Sequence, residues 1–190
     1  GYKVKTDPAQ PTTIKIKEDG TAEVTVLYVV DTDSTAFSAI VKYQVEGGTV
    51  RHTETLTGYI GEVKDITSYP INGYKVKTDP VQATTVTLVE GSTPEVIILY
   101  EVNQNIRTFE GTVYYQVDGG TIRHTEVVQG YIGQDVTIPA RPINGYVVKT
   151  DPAQPTTIKI KEDGTAEATV LYVVDTNSTA FSATVYYQVE

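Results

Sequence analysis

The chain has 190 residues and a net charge of -9, and it contains no cysteine, methionine or tryptophan. The lack of cysteine excludes disulfides, thiolate metal sites and cysteine nucleophiles, and two histidines are too few for a histidine zinc site. Hydrophobic residues make up 39% of the chain and charged residues 21%, a balance typical of a folded globular protein.

The negative charge is spread evenly along the chain. Residues 1–72, 73–144 and 145–190 carry 7, 5 and 3 basic side chains against 10, 8 and 6 acidic ones, so each segment has a net charge of -3. A uniformly acidic surface repels phosphate groups, so we expect no nucleic-acid partner. No apolar run approaches the length of about 18 residues that a membrane helix requires, so we expect no direct membrane insertion.

A repeat with a period of 72 residues organises the chain, since the same Gly-Tyr motif begins at Gly1, Gly73 and Gly145. Residues 145–190 differ from residues 1–46 at five positions, whereas the middle copy differs far more. Self-similarity at a fixed period predicts tandem units, here in an A-B-A order.

Within one copy, the elements follow in chain order. The strand that begins at Gly-Tyr ends at Asp7-Pro8, and Glu18-Asp19-Gly20 predicts a hairpin before the last strand. That strand, Val24–Val30, and the first strand of a unit, Val41–Val45, alternate apolar positions with a period of two, which predicts half-buried strands. Glycine pairs, as in Glu46-Gly47-Gly48-Thr49, suit a tight hairpin. Gly61–Pro70 shows neither period and predicts a short helix or an irregular crossover.

Polar stretches between the last and the first strands are predicted to be linkers, and they define the domain frame. The resulting segments are the C-terminal part of a unit at 1–30, a linker at 31–38, a complete unit at 39–102, a linker at 103–110, a complete unit at 111–174, a linker at 175–182 and a first strand at 183–190. We expect this sequence to be a window on a longer array, in which neighbouring chain supplies the missing strands.

Two kinds of polar cluster are candidates for chemical sites. His52 and His124 lie one period apart beside Glu54 and Glu126, but no nucleophile accompanies them, so we expect polar strand surfaces and no enzyme. Asp31, Asp33 and Asp175 are weak candidates for calcium ligands at the linkers. The aligned linker Asn103-Gln104-Asn105 loses the charge, which favours a solvated linker and neither a metal nor a cofactor.

The tyrosines divide into core and contact candidates. Residues on inward positions or at strand starts are predicted to pack in the core: Tyr28, Tyr43, Tyr74, Tyr100, Tyr115 and Tyr146. The candidates for ligand binding are Tyr59 and Tyr131, which lie between glycines, and the outward-facing Tyr114 and Tyr186. Packing against the sheet or a neighbouring unit remains the alternative for these four.

Short motifs recur at matching places in both complete units. They are Val41-Lys42-Tyr43, Thr55 to Glu62 with Gly58-Tyr59-Ile60-Gly61, Ile71-Asn72-Gly73-Tyr74 and Val96 to Tyr100, and in the second unit Val113-Tyr114-Tyr115, Gln129 to Gln134, Ile143 to Tyr146 and Ala168 to Tyr172. With these motifs the units resemble the mucin-binding-protein (MucBP) repeat of cell-wall-anchored surface proteins of Gram-positive bacteria. Gln134 in place of Glu62 and the Gly-Gly turns depart from the family pattern.

The resemblance implies a mainly β fold of small, β-grasp-like (ubiquitin-like) domains, joined by short polar linkers into an elongated array. It also implies a non-enzymatic, extracellular adhesin repeat at the bacterial cell surface or cell wall, with glycans of host mucin or glycoprotein as partners. The alternative is a structural stalk or self-assembling extracellular fibre, in which the partners are neighbouring repeat units or filament subunits.

Overall fold

The computed structural model describes residues 1–178 and 182–189 and divides at Glu101 and Val102 into two compact units. Every regular element in these ranges is a β-strand, which confirms the mainly β prediction. No helix in this part of the chain is long and apolar enough to span a membrane. Linker residues 179–181 and the last residue of the predicted strand, Glu190, lie outside the described residues.

The described residues of the two units contain fourteen strands. Those of the first unit are β1 (Tyr2–Val4), β2 (Tyr28–Val30), β3 (Phe37–Val45), β4 (Val50–Gly58), β5 (Val63–Asp65), β6 (Tyr74–Val76), β7 (Thr85–Thr87) and β8 (Glu95–Val102). Those of the second unit are β9 (Phe109–Val117), β10 (Ile122–Gly130), β11 (Asp135–Thr137), β12 (Tyr146–Val148), β13 (Thr157–Lys159) and β14 (Ala166–Val174).

Each unit has a mixed four-stranded sheet with a parallel central pair. The order is β4-β3-β8-β6 in the first unit and β10-β9-β14-β12 in the second. The first strand of the repeat lies beside the last, with Val41 opposite Val96 and Tyr43 opposite Ile98. The first two strands form the predicted hairpin, and Gly47 has a φ of 68° at its turn, a conformation that favours glycine.

A two-stranded sheet, β5-β7 or β11-β13, accompanies each main sheet, and the core includes the inward residues of both. Buried residues of the second unit include Val113, Tyr115, Ile158, Ile160 and Tyr172, from β9, the β13 region and β14. The alternation predicted for the long strands therefore places the apolar face inward, and burying each such side chain contributes about 1.5–3 kcal/mol.

Three of the predictions about elements need correction. The segment Gly61–Pro70 contains strand β5 and is otherwise irregular, because Val63 to Asp65 pair with β7. The turn before the last strand does not join a hairpin, because β7 pairs with β5 while β8 pairs with β3. Strand β3 starts at Phe37, inside the predicted linker, because its pairing with β4 continues from Phe37 to Gly58.

Residues 1–30 adopt a different state from their near-copy in the second unit. They form the pair β1-β2, in which Tyr2 faces Val30. Tyr28 is 60% exposed although a core position was predicted, whereas the matching Tyr172 is 2% exposed. The physical reason is that Tyr172 packs against β9 and its hairpin, and residues 1–30 pair with no counterpart of these strands in the described structure.

The described part of the predicted final strand, residues 183–189, is not in a strand. Tyr187 and Val189 are exposed, whereas the matching Tyr115 is buried. In the second unit the corresponding strand β9 is hydrogen-bonded on both sides, by β10 and β14, and the described residues give 182–189 no such partner. A strand requires a partner to satisfy its backbone groups, which explains the difference.

Candidate functional site

An apolar groove lies at the same place in both units, between the segment that follows β5 or β11 and the loop that follows β6 or β12. In the first unit it has a volume of about 310 Å³ and is lined by Ile66, Val76 and Ile98, among others. In the second unit it has a volume of about 840 Å³, and the matching Ile138 and Val170 contribute to its lining. Both volumes fall in the range typical of small-ligand sites.

Two buried tyrosines hold one wall of the first groove. The Tyr43 hydroxyl lies 2.8 Å from the carbonyl oxygen of Thr67, to which it donates, and 2.9 Å from a carboxylate oxygen of Glu54. The Tyr100 hydroxyl donates to the carbonyl oxygen of Tyr69 (2.7 Å) and accepts from its N–H (3.0 Å). These contacts fix the irregular segment that follows β5 to the sheet, because each satisfies a backbone group away from regular structure.

The second unit repeats this arrangement. The Tyr115 hydroxyl donates to the carbonyl oxygen of Pro139 (2.8 Å) and lies 3.2 Å from Glu126, and the Tyr172 hydroxyl donates to the carbonyl oxygen of Arg141. Burial raises the pKa of Tyr43 and of Tyr115 to about 12, and the neighbouring glutamate adds to each shift. Both hydroxyls therefore keep their proton and remain donors at neutral pH.

A glutamine holds the opposite wall. The Gln82 side chain donates to the carbonyl oxygen of Pro80 (2.6 Å) and accepts from the N–H of Leu99 (2.8 Å), which ties the loop with the cis Asp79-Pro80 bond to strand β8. Gln154 makes the same two bonds to Pro152 and Leu171. Gln10 does so in the incomplete copy as well. The glutamine contact therefore forms even in the incomplete copy, where the core does not form.

The two units differ at position 69 and its counterpart 141, and of these two residues only Arg141 lines a groove. In the first unit the rings of Tyr69 and His52 stack with centroids 3.8 Å apart and planes at 10°, and Tyr69 remains 41% exposed. In the second unit the position of Tyr69 is taken by Arg141, an exposed residue that lines the groove. The Arg123 guanidinium lies over the ring of Tyr146 at 5.5 Å and donates to its hydroxyl.

The predicted contact residues Tyr59 and Tyr131 lie in the turns after β4 and β10, not in the grooves. The N–H of Tyr59 donates to the carboxylate of Glu62, and that of Tyr131 donates to the side-chain oxygen of Gln134, each over 3.1 Å. Both rings are half-buried, and the Arg107 guanidinium lies 5.8 Å from the centre of the Tyr131 ring. Ligand binding by these two tyrosines stays a prediction.

Tyr114 and Tyr186 have different surroundings. The Tyr114 hydroxyl donates to Glu167 over 3.0 Å, across the parallel pair β9-β14. In the first unit the same place is occupied by the ion pair of Lys42 with Glu95 (2.7 Å), so Tyr114 has a cross-strand structural partner. Tyr186 is 90% exposed in the segment 182–189. Ligand binding by these two tyrosines also stays a prediction.

The aspartates considered for calcium have other partners. The Lys3 ammonium lies 3.1 Å from both Asp31 and Asp33, and its hydrogen bond holds the pKa of the Asp31 carboxyl below its ordinary value. Asp175 accepts from the N–H of Asn177 (3.0 Å), the same turn contact that Asp31 makes. No group of three or more possible ligands is assembled within residues 1–178 and 182–189. Calcium usually takes six to eight oxygen ligands.

Sequence reasoning missed Tyr69, Arg141 and the three glutamines. The glutamine signal was present, since an Asp-Pro-x-Gln motif recurs at residues 7–10, 79–82 and 151–154. Tyr69 and Arg141 occupy equivalent positions one period apart and differ in chemistry. A residue that changes between otherwise similar copies carries no periodic signal, so only the structure places it at the groove.

Comparison with known proteins assigns the repeats. Internalin J of Listeria monocytogenes serotype 4b strain F2365 is 30% identical over 135 residues, which cover 70% of this chain and 13% of that protein. Internalin J of serovar 1/2a strain EGD-e is 28% identical over 136 residues, covering 70% and 14%. The chain therefore spans a small part of the length of these relatives. The crystal structure of Mub-RV is 17% identical, covers 73% of this chain and 99% of its own, and superposes with a TM-score of 0.26.

Two segments, residues 38–101 and 112–188, match the MucBP domain. They correspond to the two repeats that carry the grooves, and together they account for most of the 190 residues. The chain therefore belongs to the MucBP domain family.

Proposed function

We propose that each unit is a non-enzymatic glycan-binding module of a bacterial cell-surface protein, with mucin or another host glycoprotein as its ligand and the groove as its site. The observation that carries the proposal is the recurrence of the groove at the same place in both units, within walls held by the same tyrosine and glutamine contacts. Membership of the MucBP family supports the ligand class and the non-catalytic, extracellular role.

The groove chemistry suits a sugar. Its floor is apolar, as the face of a sugar ring requires, and includes Ile66, Val76 and Ile98 in the first unit. The walls contain irregular backbone whose polar groups lie beside the groove, including residues 67–68 and 77–84. Polar groups placed around an apolar floor fix the orientation of a ligand, and rigid walls lower the entropic cost of binding it.

Filling both grooves tests the proposal. Ser68 and Ala140 are exposed lining residues, so Ser68→Trp together with Ala140→Trp places an indole in each groove without replacing a core side chain. We expect the 190-residue chain to bind immobilised gastric mucin and the double variant to lose that binding. Ser92→Trp, in an exposed turn before β8, is the matched control and should bind as the unaltered chain does.

Two other results would decide against the groove. If Tyr59→Ala with Tyr131→Ala abolishes mucin binding and the two tryptophans do not, the turns after β4 and β10 are the site. If the unaltered chain binds neither intact mucin nor its released glycans, the adhesin role fails and the stalk or fibre alternative is favoured.

A further inference from the structure

The two units differ in charge at one point of an otherwise shared groove. Tyr69 of the first unit stacks on His52, and its groove ends short of the buried tyrosines. The second groove carries Arg141 at that position and extends over Tyr146 and the edges of Tyr115 and Tyr172, which gives it more than twice the volume. The second site is thus larger and has a cation at its rim.

The guanidinium group of Arg141 has no acidic partner among the residues that the structure describes. No described carboxylate lies within ion-pair distance of it, although the chain carries nine more acidic than basic groups. The nearby Lys149, by contrast, is paired with Asp118 at 2.6 Å. Glu126 lies against the Tyr115 hydroxyl, and the positive charge of Arg141 opposes its effect on the pKa of Tyr115. An unpaired cation beside an apolar groove is available to an anionic ligand group.

A second guanidinium lies near the groove at an equivalent place in both units. Arg123 is held over the Tyr146 ring and donates to the Tyr146 hydroxyl over 3.2 Å, and Tyr146 itself lines the groove. In the first unit the Arg51 guanidinium lies over the Tyr74 ring in the same way, at 5.8 Å. Arg141 is therefore the cation that distinguishes the second groove, because the lining cation of the first groove, Lys77, is paired with Glu46.

We infer that the second groove binds an acidic sugar, whose carboxylate or sulfate group is bound by Arg141, while the first groove, whose lining cation Lys77 is paired with Glu46, binds an uncharged sugar. The inference rests on the proposed function and divides it between the units. Guanidinium groups pair with carboxylate and sulfate oxygens through charge-assisted hydrogen bonds, whereas an ammonium group that is already paired with a carboxylate is less available to an anionic ligand.

The test isolates the second groove. In a chain whose first groove is filled by Ser68→Trp, affinity for immobilised gastric mucin is measured before and after Arg141→Gln. Loss of one charge-assisted contact should weaken binding by about tenfold or more. The control is Arg107→Gln, which removes the same charge beside the Tyr131 ring, outside the groove, and should have no effect. Arg141→Lys should restore part of the affinity, because it keeps the charge and loses the planar fork.

Treated mucin identifies the acidic group. Sialidase removes terminal sugars that carry carboxylates, and methanolic desulfation removes sulfate, so the treatment that lowers binding to the Arg141→Gln level names the group. Equal affinities of the Arg141→Gln variant and its parent, or binding that survives both treatments, would overturn the inference and leave the proposed function intact. A chain with both grooves open that binds no mucin glycan overturns both.

Discussion

The two complete repeats share the contacts that build the groove and differ in the residues that border it. Tyr43 and Tyr100 hold the segment after β5, and Tyr115 and Tyr172 hold the segment after β11 through equivalent bonds. Position 69 and its counterpart 141 instead change from a tyrosine to an arginine, and the arginine lines its groove. The two repeats therefore have the same scaffold and different surfaces, which is the pattern expected of modules that bind different ligands on one fold.

Removal of the shared hydroxyls should have the largest effect. Tyr115→Phe leaves the Pro139 carbonyl without its donor, and we expect the second unit to lose about 1.5 kcal/mol of stability, the upper end of the net contribution of one hydrogen bond, because Pro139 is exposed and water replaces part of the contact. Tyr43→Phe should destabilise the first unit equally through Thr67. Hydrogen exchange of the whole chain measures each unit separately. Tyr187→Phe, at an exposed position, is the matched control. Unequal losses of stability in the two units would show that their tyrosine hydroxyl contacts are not equivalent.

Core packing offers a second comparison. The first unit has Ala39 and Val86 where the second has Gly111 and Ile158. A Cβ at Gly111 would lie 2.9 Å from Cδ1 of Ile158, so Gly111→Ala overpacks the second core unless Ile158→Val makes room. We expect a favourable coupling of about 1 kcal/mol between the two substitutions in a double-mutant cycle of unfolding. Additive effects of the two substitutions would show that Gly111 and Ile158 are not coupled in the core of the second unit.

The smallest expected effect is a difference in stability between the two units at low pH. The hydrogen bond from Lys64, together with the N–H of Tyr59, holds the pKa of Glu62 below its ordinary value, and the second unit has Gln134 at that place. A carboxyl with a lowered folded-state pKa stabilises the fold above its unfolded pKa, near 4.5, and that stabilisation is lost as the pH falls through the folded value. We expect the first unit to lose stability relative to the second below about pH 4.5.

Hydrogen exchange at decreasing pH measures this difference, and Glu62→Gln should remove it. A difference that persists in Glu62→Gln would place the acid sensitivity elsewhere in the first unit.

The sequence predicts the long strands and the hairpin with paired glycines well, because alternation and turn chemistry act locally, but it misses the pairing of β5 with β7. It predicts burial poorly where a distant strand decides it. Ile16 and Ile160 have nearly the same neighbours in sequence, yet Ile16 is 76% exposed and Ile160 is 1% exposed. Ile160 packs in a core that includes Val113 and Tyr115 of β9, and residues 1–30 pack against no such strand in the described structure.

The candidate site was harder to predict for a related reason. Tyr59 and Tyr131 stand out in the sequence because glycines flank them, but the glycines serve tight turns. A methyl group at Gly58 would clash with the Glu62 carboxylate, which binds the N–H of Tyr59. Tyr69 and Arg141 have no such flanking signal. The segments that contain them are held to the sheets by hydroxyl contacts with strands 31 residues away along the chain.

The central claim is that sugars bind in the grooves, and mapping backbone amide shifts by NMR during addition of glycans released from mucin tests it most directly. The account predicts changes that concentrate in residues 66–84 and 138–156, with acidic glycans affecting the second range more strongly. Changes confined to the turns with Tyr59 and Tyr131, or no change at millimolar glycan, would contradict it.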